Sequence, residues 1–142
     1  MPSTYQSIVV NAPIEAVWDT VKNFHDFSWA PAVIESCEVV GDATGLEVGA
    51  KRVLNGAFEE TLVELDDEIH KVRYSIDNGP SPVSSSDVKN YFGTLRLRSS
   101  TIDNKTLVEW GSVWDSDSDE AVEFCHGIYV ALLQSLAGYF EA

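Results

Sequence analysis

The chain has 142 residues, a single-domain length, with 44% hydrophobic and 23% charged residues, a balance that excludes a disordered or fibrous class. Nine Lys and Arg stand against 23 Asp and Glu, a formal net charge of −14, so phosphate backbones and anionic membrane surfaces are repelled and neither nucleic acid nor membrane insertion is expected. No apolar run approaches the roughly 18 residues of a membrane span, and the opening MPSTYQSIVV has no basic start or long apolar stretch of the secretory kind.

Residues 5–10 alternate and read as a first strand. Asn11-Ala12-Pro13 then opens a helix, with Pro suited to the first turn and Glu15 to its positive end. Ile14, Val17, Trp18 and Val21 give that helix one apolar face. The aromatic segment 23–31, NFHDFSWAP, predicts a short second helix stopped before Pro31. Strands follow at 34–40, 50–54, 58–66, 71–76, 91–98 and 106–115, with Asn55-Gly56 as a hairpin turn. Residues 77–87, DNGPSPVSSSD, read as a loop. A long helix from about 117 to 140 carries an apolar stripe of Ala121, Phe124, Cys125, Ile128, Leu132, Leu136 and Tyr139. Consecutive strands with short turns imply an antiparallel meander of seven strands packed on one long helix, an α+β arrangement in one domain over 1–142.

The inward positions mix large aromatics with polar groups. Tyr74, Tyr91, Trp110, Trp114 and Phe124 face in, and Ser112 sits between two tryptophans. Glu35 shares a face with Val33, Cys37 and Val39, and Glu60 shares one with Phe58 and Leu62. A carboxylate in a dry core is costly unless paired. The expectation is therefore a hollow interior in which a few polar groups face an apolar pocket.

This order of elements resembles the START-like, helix-grip superfamily that includes the polyketide cyclase/dehydrase-type domains. The resemblance runs from Asn11-Ala12-Pro13 with Val17-Trp18 to the terminal helix. It implies a curved seven-stranded sheet gripping the last helix around an apolar cavity. Within the superfamily, VIESCEV (33–39), ETLVELDDEIH (60–70), KNY (89–91) and LLQSLA (132–137) resemble the plant abscisic-acid receptors. That likeness implies a cavity glutamate at Glu60, a ligand-contacting tyrosine at Tyr91, and a ligand-facing helix side at Phe124, Ile128 and Leu132. Glu35 stands where the receptors have a ligand-carboxylate lysine, which disfavours an acidic ligand by like-charge repulsion. The tight Asn55-Gly56 turn replaces their gate loop, and DNGPSPVSSSD holds no His-Arg-Leu latch. Lachrymatory-factor synthase, an enzyme of this fold, pairs a strand Arg with a cavity Glu; Arg52 and Glu60 are the counterparts here.

Glu60 and Arg52 thus read either as an acid/base pair or as a structural ion pair that anchors ligand or water. Glu35 either orients a ligand group with Tyr91 or lies at the sheet rim in solvent. Asp115, Asp117 and Asp119 begin like a calcium loop, but Glu120 and His126 break the pattern, and an acidic helix start explains them. No zinc spacing or disulfide framework involves Cys37 and Cys125, so reduced thiols, a cytoplasmic setting, and no metal or cofactor are expected. The leading functional expectation is a binder of a small apolar or amphipathic, neutral or cationic molecule. Phe58, Tyr74, Tyr91, Trp110, Phe124, Ile128 and Leu132 would form its walls, with Glu60, Glu35 and Ser112 as polar anchors. The alternatives are a cyclase- or isomerase-type enzyme with Glu60 as acid/base and Arg52 stabilising charge, and a partner-binding domain whose interior is filled by side chains. A monomer or weak dimer is expected.

Overall fold

The computed structural model describes residues 1–141. In chain order the elements are β1 (Ser3–Val10), α1 (Ile14–Val21), β2 (Cys37–Val40), β3 (Lys51–Leu54), β4 (Phe58–Asp66), β5 (Lys71–Asn78), β6 (Lys89–Ser100), β7 (Lys105–Asp115) and α2 (Glu120–Tyr139). The seven strands form one antiparallel sheet in the order β1-β7-β6-β5-β4-β3-β2. The chain therefore lays down β2 to β7 as a meander, and β1 joins the far side of β7. α2 packs across the concave face.

Local chemistry accounts for most of these boundaries. Asn55 and Gly56 both adopt positive φ, 54° and 64°, the conformation a tight primed turn needs, so β3 and β4 pair directly. Period-two alternation in β6 and β7 buries Tyr91, Gly93, Leu95 and Leu97 on one strand and Val108, Trp110, Ser112 and Trp114 on the next. α1 buries Val17, Trp18 and Val21 on one face, and the Trp18 indole N–H donates to Asp67 at 2.9 Å.

Three expectations need correction. The second helix over 23–31 does not form; only one short helix follows β1. Its aromatics Phe24, Phe27 and Trp29 are buried at uneven spacing, which a run of turns permits and one helical face does not. The strand expected from 34 begins at Cys37, because Asn55 Oδ1 accepts the Glu35 and Ser36 N–H groups at 2.7 and 3.2 Å. Tyr139 is 51% exposed, while Tyr129, outside the expected stripe, is buried. α2, with 20 residues and a mean hydropathy of 1.2, is long and apolar enough by length and composition to cross a membrane. In this fold it is the helix the sheet grips.

Candidate functional site

The site lies between the concave sheet and α2. β3 and β4 place Arg52 and Glu60 directly opposite each other across the hairpin, and both are buried, at 6% and 5% exposure. Arg52 Nε donates to Glu60 Oε1 at 2.8 Å, and a terminal guanidinium nitrogen lies 2.6 Å from the same oxygen. The other terminal nitrogen donates to the Phe24 carbonyl at 2.9 Å. The guanidinium also sits 3.7 Å from the Phe24 ring centroid and 4.7 Å from that of Phe27. The turns at 23–31 thus build an aromatic seat for a cation. Both Arg52 contacts fall on Glu60 Oε1. Glu60 Oε2 has no protein partner among the described residues, and it is not sealed from the cavity that Glu60 lines. Burial pushes the Glu60 carboxyl above its ordinary value, and the adjacent Arg52 guanidinium pulls it part of the way back.

A second polar group occupies the deep end. The Trp110 indole N–H donates to Tyr74 Oη at 2.9 Å. Tyr74 and Tyr129 hydroxyls are 3.0 Å apart, and Tyr129 and Tyr91 hydroxyls 2.6 Å. Tyr91 donates onward to Ser112 Oγ at 3.0 Å, which lies 2.8 Å from Thr4 Oγ1. Once Trp110 donates and Tyr91 donates outward, each phenol between them accepts one proton and donates one. The row therefore has spare lone pairs and no spare donor. Burial holds all three phenols well above their ordinary pKa, so they stay protonated through the physiological range. Gly93 makes room for this row: a Cβ there would overlap the Tyr74 ring.

The cavity joining these groups is small, about 40 Å³. Ligand sites run to roughly 300–1,000 Å³, so the open hollow expected from sequence is not present in this conformation. Side chains account for the difference. Phe58 stacks on Phe124 with centroids 6.4 Å apart, and Val83, from the loop between β5 and β6, inserts at 1% exposure. Trp29 and Trp110 pack at 6.5 Å behind them.

Of the residues singled out in the sequence, the fold brings Arg52, Phe58, Glu60, Tyr74, Tyr91, Trp110, Phe124, Ile128 and Leu132 to this cavity. Ser112 is buried behind it, in the hydroxyl row. Glu35 does not reach it: it is exposed on the turn before β2. Glu35 is therefore not placed to repel an acidic ligand in this cavity. Sequence reasoning missed Tyr129 and Val83. Tyr129 lies four residues beyond Cys125 on the same helical face, and that spacing was the available signal. Cys37 is half-buried and Cys125 buried, and neither is in a disulfide.

A family model described as polyketide cyclase / dehydrase and lipid transport matches residues 1–141. The chain belongs to this family. It is 33% identical over 104 residues, 68% of its length, to the abscisic acid receptor PYL10 of Arabidopsis thaliana. It spans about half of that receptor, 53%. Among solved structures, one from Nitrosospira multiformis is 51% identical with a TM-score of 0.96, covering 98% of this chain and 96% of the other. The protein XoxI of Bacillus cereus is 29% identical with a TM-score of 0.81, over 99% and 96%. A solution NMR structure from Thermobifida fusca is 26% identical with a TM-score of 0.82, over 98% and 93%.

Proposed function

We propose that the chain binds a small apolar or amphipathic molecule carrying a hydroxyl or amine group, enclosed between the sheet and α2. The supporting observation is Glu60 Oε2, an oxygen of a buried side chain that lines an apolar cavity, with no protein partner among the described residues and not sealed from that cavity. A ligand donor that takes the place of water at such an acceptor forms its hydrogen bond in a low-dielectric setting. The phenol row beside it also offers acceptors only. The pocket therefore suits a neutral or cationic donor and rejects a carboxylate. Binding requires Val83 to withdraw and Phe58 and Phe124 to part, because the closed space holds little more than water. The family's lipid transport members and the abscisic acid receptor relative favour enclosure of a small molecule, while the neutral or cationic preference rests on Glu60 alone. Two thiols outside any disulfide suit a reducing, cytoplasmic setting.

A titration with N-phenyl-1-naphthylamine, a neutral apolar probe with one N–H donor, tests this reading. Saturable one-to-one binding that Ile128→Trp abolishes, by filling the space, is expected. No binding, or binding that Ile128→Trp leaves intact, contradicts it. The raised Glu60 carboxyl beside Arg52 favours a second reading, acid/base catalysis on a small carbonyl or polyketide-like compound. In that case Glu60→Gln removes turnover and keeps affinity; unchanged turnover removes Glu60 as the base.

A further inference from the structure

The β5–β6 part of the outer sheet face concentrates cations within an acidic molecule. Of the nine Lys and Arg in a chain of net charge −14, four (Lys71, Arg73, Arg96 and Arg98) lie at outward positions of the paired strands β5 and β6. The ladder sets Lys71 directly opposite Arg96. Like charges facing each other across a strand pair are destabilising, and here Glu109, opposite Arg96 on β7, and Glu64, beside Lys71, offset part of that cost.

The nearby acids do not neutralise the cluster. Glu64 lies 3.1 Å from Lys71. Glu109 Oε1 accepts Arg98 Nε at 2.6 Å, and its Oε2 accepts the Tyr5 hydroxyl at 2.6 Å. Arg73 stacks on Phe92 at 4.3 Å. Arg96 makes no ion pair among the described residues. Its Nε donates to the Ile69 carbonyl at 2.8 Å, which fixes the guanidinium and leaves both terminal nitrogens without a protein acceptor. Lys71, Arg96 and Arg98 border one open groove of about 300 Å³. Tyr5 and Ile69 wall it, with Thr94 and Gly111 as small floor residues. Three cations against two acids, Glu64 on Lys71 and Glu109 on Arg98, leave the groove one positive charge in excess within an acidic molecule.

We propose that this groove is a binding site for a small oxyanion of two or more charges, a phosphate or a polycarboxylate, held by Lys71 and the terminal nitrogens of Arg96. A positioned guanidinium fork and an ammonium group suit oxyanions in particular. The site lies on the opposite side of the sheet from the cavity and does not depend on ligand binding there.

Titration of ¹⁵N-labelled protein with sodium pyrophosphate, and separately with sodium citrate, at fixed ionic strength tests the proposal by amide chemical shifts. Saturable shifts at Thr94, Arg96 and Gly111 are expected, with the Val83 and Phe124 amides unmoved. Arg96→Gln is expected to weaken the affinity about tenfold or more, and Lys71→Gln, a second variant, to weaken it in the same direction. A response to pyrophosphate alone identifies a phosphate site, and a response to both probes a general oxyanion site. Shifts that do not saturate, or that are unchanged in both variants while their spectra remain folded, overturn the proposal.

Discussion

Arg52 and Glu60 set the terms of the site at the level of single residues. Each is buried, and each satisfies part of the other. Removing one partner leaves an uncompensated charge in the interior, which typically costs about 3–5 kcal/mol. Arg52→Met should lower the free energy of urea unfolding by that order, and Arg52→Met with Glu60→Leu should recover most of it. If the single and double variants lose the same amount, the pair is not what holds Glu60 in place. The phenols make a pH prediction. Tyr74, Tyr91 and Tyr129 have folded-state pKa values raised above the ordinary 10.0. Above pH 10 the unfolded chain releases protons that the native protein keeps. The stability these groups contribute is therefore complete below pH 10 and falls as pH rises beyond it. Three such phenols give a slope of roughly 4 kcal/mol per pH unit. Urea unfolding across that range should show it, and Tyr91→Phe should remove about a third. Not all of this was legible in the sequence. The pairing of Arg52 with Glu60 was legible only through the family resemblance, because a two-residue Asn55-Gly56 turn would set Arg52 against Glu59, whereas Ala57 lengthens the loop and pairs Leu54 with Phe58. The phase of Glu35 was not, because Asn55 caps the preceding backbone and delays β2.

Among the elements, β5, β6 and β7 were the plainest to read, because strict alternation has one physical solution: apolar side toward α2. The aromatic segment 23–31 was misread because apolar content alone does not distinguish a helix from turns whose aromatic side chains point inward. α2 presents two adjoining sides to the sheet, and a single stripe caught Phe124 and Ile128 and missed Tyr129. The loop between β5 and β6 is the element that closes the cavity. Asp87 accepts the Ser81 and Ser84 hydroxyls at 2.6 and 2.7 Å, and this fold of the loop presents Val83 inward. Shortening the plug should open the way in. Val83→Ala should cost roughly 1–3 kcal/mol in stability and speed association of N-phenyl-1-naphthylamine in stopped flow. Equal association rates in the variant and the parent would place the entrance elsewhere.

For the whole molecule, a curved sheet around a helix was legible from the order of elements, and the size of its interior was not. Volume depends on how Phe58, Phe124, Val83, Trp29 and Trp110 pack, and no periodicity records that. The chain thus joins a container fold to a nearly filled interior, with an unmet carboxylate oxygen inside. Packed aromatics keep the core stable without a guest, and Glu60 Oε2 is the acceptor at which the proposed guest would bind. Crystallising the protein with N-phenyl-1-naphthylamine tests this account most directly. It predicts the naphthyl ring between the sheet and α2, its N–H on Glu60 Oε2, and Val83 displaced. Crystals grown at saturating probe that show the interior unchanged, or the probe bound only outside, would contradict it.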